Sequence, residues 1–283
     1  MNRIAYVNGE FVPLQDAKIS ILDRGFLFAD GIYEVSAVID SRLVDNVTHM
    51  QRLLRSVKEI DLPLPETIER IVEIQNELIR RNRLTEGTVY IEVTRGSAER
   101  DFVFPMVTRP TLVMFTQQRS IIDSPAAKIG IAVKSVPDIR WARRDIKSVG
   151  LLAQVLAKQA AQAEKCQEAW MIEDGFVTEG ATSSAFIITS DRVLVTRPNS
   201  NSILPGCTRK ATILFAEEQQ IRIEERPFTL VEAHAAAEAF MTSASAFVTP
   251  IVRIDGRDVG NGKPGPLTNR LRQIYIEFSR KSA

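Results

Sequence analysis

Histidine and cysteine are nearly absent, with two of each in 283 residues: His49, His234, Cys166 and Cys207. Two thiols cannot build the disulfide framework of a small secreted domain, and without histidine partners they make a poor metal set. No metal is expected. Hydrolytic chemistry that leans on a histidine base is disfavoured by the same scarcity. An excess of one charge is also missing. Lys+Arg 36 against Asp+Glu 35 leaves a net charge of +1, which suggests neither a nucleic-acid footprint nor a polybasic membrane surface. No window is long and apolar enough to cross a bilayer, and the first residues lack the core of a signal peptide, so the cytoplasm is the expected location. What is there, 45% hydrophobic and 25% charged residues, is the composition of an ordinary globular chain.

The length favours two lobes that each bury a core. Alternation across 4–12 around Asn8-Gly9 predicts an opening hairpin. Strands are expected at 18–22, 32–38, 88–94 and 111–116. Helices are expected from Thr48, placed as an N-cap, to the break at Pro63 and Pro65, and again over 66–81. These elements make a small N-terminal α/β domain, 1–117. The segment 118–127 carries Pro125, loses periodicity and reads as a linker. A larger domain, 128–283, follows, with strands near 129–136, 169–172, 176–178, 185–189, 193–196, 221–224, 239–242 and 248–254. Its helices are expected near 149–163, 208–219 and 266–279.

Three stretches carry candidate chemistry. Lys147 sits in a polar turn between a strand and a helix, a few residues after Arg140, Arg143 and Arg144. A lysine captures carbonyls when desolvation or cationic neighbours suppress its charge. On its own, such a lysine is more often a solvated side chain. Glu179 opens the run Glu179-Gly180-Ala181-Thr182-Ser183-Ser184, where an acid could hold a ring nitrogen protonated or merely end a turn. Gly206-Cys207-Thr208-Arg209 begins a helix whose free amides favour a phosphate, although a simply capped helix is the commoner case.

Taken in order, these pieces resemble the class IV aminotransferases, the pyridoxal-phosphate enzymes of fold type IV, and most closely their D-amino-acid branch. The carriers are Asp23-Arg24-Gly25, Asp30-Gly31-Ile32-Tyr33-Glu34, Arg52-Leu53, Val93-Thr94-Arg95-Gly96, Asp138-Ile139-Arg140-Trp141, Asp145-Ile146-Lys147-Ser148, Thr178-Glu179-Gly180 and Ile203-Leu204-Pro205-Gly206-Cys207-Thr208-Arg209. The resemblance implies an α/β (α+β) chain of two lobes, the larger one β-barrel-like with flanking helices. It implies a pyridoxal 5'-phosphate (PLP) cofactor and a homodimer. Lys147 would carry the cofactor covalently and shuttle the α-proton, and Glu179 would pair with the pyridine nitrogen. Arg52, Cys207, Thr208, Ser184 and Ser245 would hold the phosphate, and Leu204 would lie against the ring. Tyr33, Tyr90, Arg100 and Phe102 would line the substrate side, with Arg100 meeting the substrate carboxylate across the dimer interface.

Two positions depart from the D-amino-acid branch. Phe102 stands where the arginine loop often supplies a histidine, and Ala244, between Ser243 and Ser245, replaces a phosphate-binding hydroxyl. The implied reaction moves the amino group of a D-amino acid of the D-alanine type to a 2-oxo acid, 2-oxoglutarate or pyruvate in type, by a ping-pong cycle. Same-fold rivals are a branched-chain L-amino-acid transaminase, an (R)-amine transaminase and aminodeoxychorismate lyase. A PLP-holding protein without turnover is the non-enzymatic rival.

Overall fold

The computed structural model describes residues 3–107 and 109–281. Two compact units emerge. One takes the chain up to Ser120 together with Ile146–Gly150; the other takes Ile121–Asp145 and Leu151–Lys281.

In the first unit, β1 (Ile4–Val7), β2 (Glu10–Pro13), β3 (Gly31–Ile39), β4 (Arg42–Leu43), β5 (Glu86–Thr94) and β6 (Thr111–Gln118) form an antiparallel sheet of order β2-β1-β6-β5-β3-β4. Between them lie α1 (Arg24–Phe28), α2 (Asn46–Glu59) and α3 (Ile68–Asn82). Strand alternation sends Ile32, Ile91, Val93, Leu112 and Met114 into one core with Met50, Leu53, Val57, Ile71, Ile74 and Leu78 of the helices. Helix α2 buries two stripes, Met50, Leu53 and Val57 beside His49, Arg52 and Ser56. The second stripe is polar and needs partners from the sheet.

In the second unit, α4 (Pro125–Ile129), β7 (Ile131–Pro137), α5 (Leu152–Ala163), β8 (Glu168–Glu173), β9 (Phe176–Gly180) and β10 (Ser184–Ile188) come first. They are followed by β11 (Leu194–Thr196), α6 (Cys207–Glu218), β12 (Ile223–Glu225), α7 (Leu230–Ala235), β13 (Glu238–Ser243), β14 (Phe247–Ile254), β15 (Arg257–Asp258) and α8 (Pro266–Lys281). The strands make a curled mixed sheet of order β12-β11-β10-β13-β14-β7-β8-β9, with β15 beside β14. Its core holds Trp170, Phe228, Ile187, Val195 and Ile251, and the Trp170 and Phe228 rings meet edge to face at 5.7 Å. Among the described residues no helix is long and apolar enough to cross a membrane.

Several expectations are corrected. Residues 18–22 join no sheet: Ile19, Ile21 and Leu22 are exposed, and Ser20 accepts the Leu22 and Asp23 N–H groups to form a turn. That turn delivers Asp23 as the N-cap of α1, accepting from Gly25 N–H at 2.8 Å, a helix too short to show periodicity. Thr48 is not the cap of α2. The helix starts two residues earlier, because Asn46 is anchored by Ser36 and Gln75 and the left-handed residue before it is Asp45. The expected linker contains the start of α4, with Pro125 at its first turn. The lysine turn groups with the first unit rather than the second, since Ser148 bridges Ile32 and Ile146 packs in the first unit's core.

Candidate active site

In the first unit, β4 pairs with only the far end of β3, at Val38 and Ile39. The near end keeps a free edge, and the lysine turn fills it. Tyr33 N–H donates to the Lys147 carbonyl at 2.9 Å, and Val149 N–H to the Gly31 carbonyl at 3.1 Å. The lysine backbone is thereby fixed as an added rung of the sheet. Lys147 Nζ lies 4.2 Å from the centre of the Tyr33 ring, whose π face attracts a cation. Tyr33 stacks on Tyr90 at 5.6 Å, and Tyr90 on Phe115 at 4.8 Å. Tyr90 donates its hydroxyl to Glu92 Oε2 at 2.6 Å. Burial pushes both the Tyr90 phenol and the Glu92 carboxyl above their ordinary values.

The next residue along β3, Glu34, points to the helix side. Arg52 of α2 forks onto it, Nε to Oε1 at 2.7 Å and Nη2 to Oε2 at 2.8 Å, and His49 Nδ1 lies 2.9 Å from Oε2. Burial works to raise the Glu34 carboxyl, but the Arg52 guanidinium and His49 outweigh it and hold the group well below the usual carboxylate range. Two of the Arg52 nitrogens that a phosphate was expected to use are therefore engaged by Glu34. Arg100 lies over the rings of Phe28 and Phe102, 5.4 and 5.6 Å from their centres, and Phe102 is itself largely exposed.

In the second unit, Glu179 is buried at the end of β9. Oε1 accepts from Arg140 Nη1 and, at 3.1 Å, from Leu204 N–H. Among the described residues these bonds leave Oε2 to accept from a ring nitrogen. Arg140 is held in turn by Asp138, Nε to Oδ1 at 2.9 Å and Nη2 to Oδ2 at 2.7 Å, and Thr178 donates to the same Oδ2. Burial pushes the Glu179 carboxyl up, with Arg140 opposing it. At Asp138 burial is outweighed by Arg140, and that carboxyl lies below its ordinary value.

Helix α6 begins at Cys207 and Thr208 after Gly206, with no side chain capping its first amides. A Cβ at Gly206 would stand 2.8 Å from Ser184 Oγ and 3.0 Å from the Arg209 Cβ, so a side chain there would crowd both. Ser184 on β10 faces Thr242 on β13 across the ladder, and Thr242 Oγ1 is buried with no hydrogen-bond partner among the described residues. Ser245 lies in the turn that joins β13 to β14. An uncapped helix N-terminus, a close glycine and an orphaned buried hydroxyl suit an oxyanion such as a phosphate. Lys147 and Glu179 suit the aldehyde and the ring nitrogen of PLP, so the residues present fit that group.

The family described as amino-transferase class IV matches residues 31–254. The chain is a class IV aminotransferase. Its curated relatives include the D-alanine aminotransferase of Staphylococcus epidermidis, 41% identical over 276 residues, 96% of each chain. Its structural neighbours include the branched-chain amino acid aminotransferase of Escherichia coli, with TM-score 0.93, 27% identity and coverage of 99% of this chain and 95% of that one. Another is the branched-chain amino acid aminotransferase of Thermoproteus uzoniensis solved with norvaline, with TM-score 0.87, 26% identity and coverage of 97% and 93%. Sequence thus groups this aminotransferase with D-alanine enzymes, while its backbone is shared with enzymes named for branched-chain amino acids.

The structure also gives supporting roles in this aminotransferase that the sequence did not assign, Arg140 among them, which was expected as a cationic neighbour of Lys147 and instead pairs with Glu179 and Asp138. Glu34 and His49 support Arg52, and Asp138 with Arg140 supports Glu179. One signal was available for Glu34. It shares the strand parity of Ile32, so an acid falls on a core face and requires a cation.

Proposed function

We propose that this aminotransferase binds PLP and moves the amino group of a D-amino acid, D-alanine in type, to a 2-oxo acid of the 2-oxoglutarate or pyruvate type, by a ping-pong cycle. The carrying observation is the Lys147 amine held over Tyr33 on a backbone rung of β3, with the 41% identity to a D-alanine enzyme supporting the choice of donor. When bound, PLP supplies an electron sink that acidifies the α-carbon of the amino acid. Lys147 Nζ would take the α-proton of the donor amino acid in the first half of the cycle and would supply the α-proton of the product amino acid in the second. Glu179 Oε2 accepts from the ring nitrogen and keeps it protonated, with Arg140 fixing the carboxylate. Cys207, Thr208 and Ser184, with the turn at Ser245, hold the phosphate through amides and hydroxyls, and Leu204 packs on the ring. Arg52 contributes through its position beside Glu34.

Tyr33 and Tyr90 line the substrate side, and Arg100 captures the carboxylate with Phe102 beside it. A homodimer in the cytoplasm is the proposed form, Arg100 of one protomer serving its partner. A half-reaction scan tests the reading. PLP-loaded protein is mixed in turn with D-alanine, L-leucine and (R)-1-phenylethylamine, and the loss of the visible cofactor band is followed. D-alanine should bleach it fastest. Bleaching by L-leucine alone would make the protein a branched-chain enzyme, and preference for the amine would remove Arg100 as a carboxylate trap.

A further inference from the structure

Residues 99–107, which carry Arg100, belong to no helix or strand, and among the described residues none of their backbone groups bonds to another backbone group. Among the described residues, every hydrogen bond that ties them to the rest of the first unit comes from one side chain. Arg24, the first residue of α1, donates from Nη1 to the Asp101 carbonyl at 2.5 Å and to the Val103 carbonyl at 3.4 Å, and from Nη2 to the Phe102 carbonyl at 3.4 Å. Three consecutive carbonyls after Arg100 thus converge on a single guanidinium. That group is fixed from behind. Arg24 Nε donates to Asp30 Oδ2 at 2.8 Å, and Arg95 Nε reaches the same oxygen at 2.8 Å, while the Arg24 backbone N–H bonds to the Gly96 carbonyl at 2.9 Å. A core ion pair needs one arginine for one carboxylate; here Asp30 holds two, both buried, and the outer arm of Arg24 is turned to the loop. The Phe28 ring lies between the loop and its anchor, its centre 4.8 Å from the Arg24 guanidinium carbon and 5.4 Å from that of Arg100.

We propose that Arg24 is the positioning residue of the carboxylate trap: it holds residues 101–103 by their carbonyls and so fixes where Arg100 stands, without touching substrate itself. A guanidinium suits this task because its planar fork presents Nε–H to Asp30 and the Nη donors to the loop at once. A lysine ammonium keeps the charge beside Asp30 and loses the outer arm. A trap seated in this way is ordered before substrate arrives, so a carboxylate that binds there does not have to order the loop. The inference rests on the functional reading's choice of Arg100 as the group that meets the substrate carboxylate.

Arg24→Lys in the PLP-loaded protein tests it. Calorimetry with pentanoate, a carboxylate without an amino group to transfer, should show about tenfold weaker binding than in the wild type, the size expected for losing hydrogen bonds from a charged donor. In the Arg100→Ala background the same replacement should change pentanoate affinity by less than about twofold, because Arg24 acts through Arg100. Steady-state kinetics with D-alanine should place the loss in KM, with kcat within about twofold of the wild type. Chymotrypsin, with its cuts located by mass, should cleave after Phe102 or Phe104 about tenfold faster in the variant, since the loop opens more often. Pentanoate affinity that is unchanged in Arg24→Lys, or weakened equally with and without Arg100, would overturn the proposal. So would a fall in kcat at constant KM with an unchanged cleavage rate, the signature of a core ion pair with Asp30 alone. If Arg24→Lys does not fold, Arg24→Gln, which is uncharged and leaves Asp30 to Arg95, takes its place in every arm with the same expectations. Pentanoate affinity left intact by Arg100→Ala would sink the functional reading's trap instead, and the cleavage rate would still decide whether Arg24 seats the loop.

Discussion

Lys147 Nζ stands 4.2 Å above the centre of the Tyr33 ring, while the Lys147 carbonyl accepts the Tyr33 backbone N–H. One residue of β3 thus fixes both ends of the lysine. Tyr33→Phe keeps the ring and should retain most activity. Tyr33→Leu keeps the strand but loses the π face, a contact worth about 0.5–2 kcal/mol, and should lower kcat by roughly tenfold. Steady-state kinetics of the two variants checks this, and equal loss in both would mean that the hydroxyl is what matters.

Arg140 is predicted to matter through Glu179. Replacing it with Ala leaves Glu179 buried without its cation and Asp138 with Arg144 alone, at 3.4 Å, which costs about 3–5 kcal/mol. Urea unfolding of the second unit's tryptophan signal should show the loss. Glu179→Gln, which removes the charge at the ring nitrogen, should lower kcat on the order of 10²-fold with a smaller effect on stability.

The Glu34 cluster sets an acid limit on stability. The folded carboxyl titrates well below its ordinary value of 4.5 because Arg52 and His49 outweigh burial. Its stabilisation is therefore complete above about pH 4.5 and is lost as pH falls below that toward the folded value. Wild-type protein should lose stability steadily over that acid window, and Glu34→Gln should flatten this part of the profile. At neutral pH the same variant should be weaker by about 3–5 kcal/mol, since the buried Arg52 loses the carboxylate charge it forks onto. Denaturant midpoints measured from about pH 3 to 7 decide the point.

Arg100→Ala should reduce kcat/KM for amino acids by about 2–5 kcal/mol in transition-state terms, with little change for (R)-1-phenylethylamine, which has no carboxylate. An equal loss for amine and amino acid would assign Arg100 to holding its loop against Phe28.

Much of this was legible in the sequence because period and turn chemistry are local. The helices α3, α5, α6 and α8 and the hairpin at Asn8-Gly9 follow from residues close in sequence. Lys147, Glu179 and the turn at Gly206 stood out through ordered motifs. What stayed hidden depends on distant partners. The strand expected at 18–22 had suitable residues but no neighbour to pair with. The lysine turn joined the first unit through the bridge of Ser148 to Ile32, more than a hundred residues earlier. The Arg52 fork onto Glu34 needs the register of α2 on β3, which no local pattern fixes.

The central claim is that Lys147 is the amine that carries the cofactor. The direct measurement is to load the purified protein with PLP, trap the linkage with borohydride, digest, and locate the phosphopyridoxyl group by mass. The account predicts it on the peptide containing Lys147, with no label in Lys147→Ala. Label on a different lysine, or none on the wild type, would contradict it.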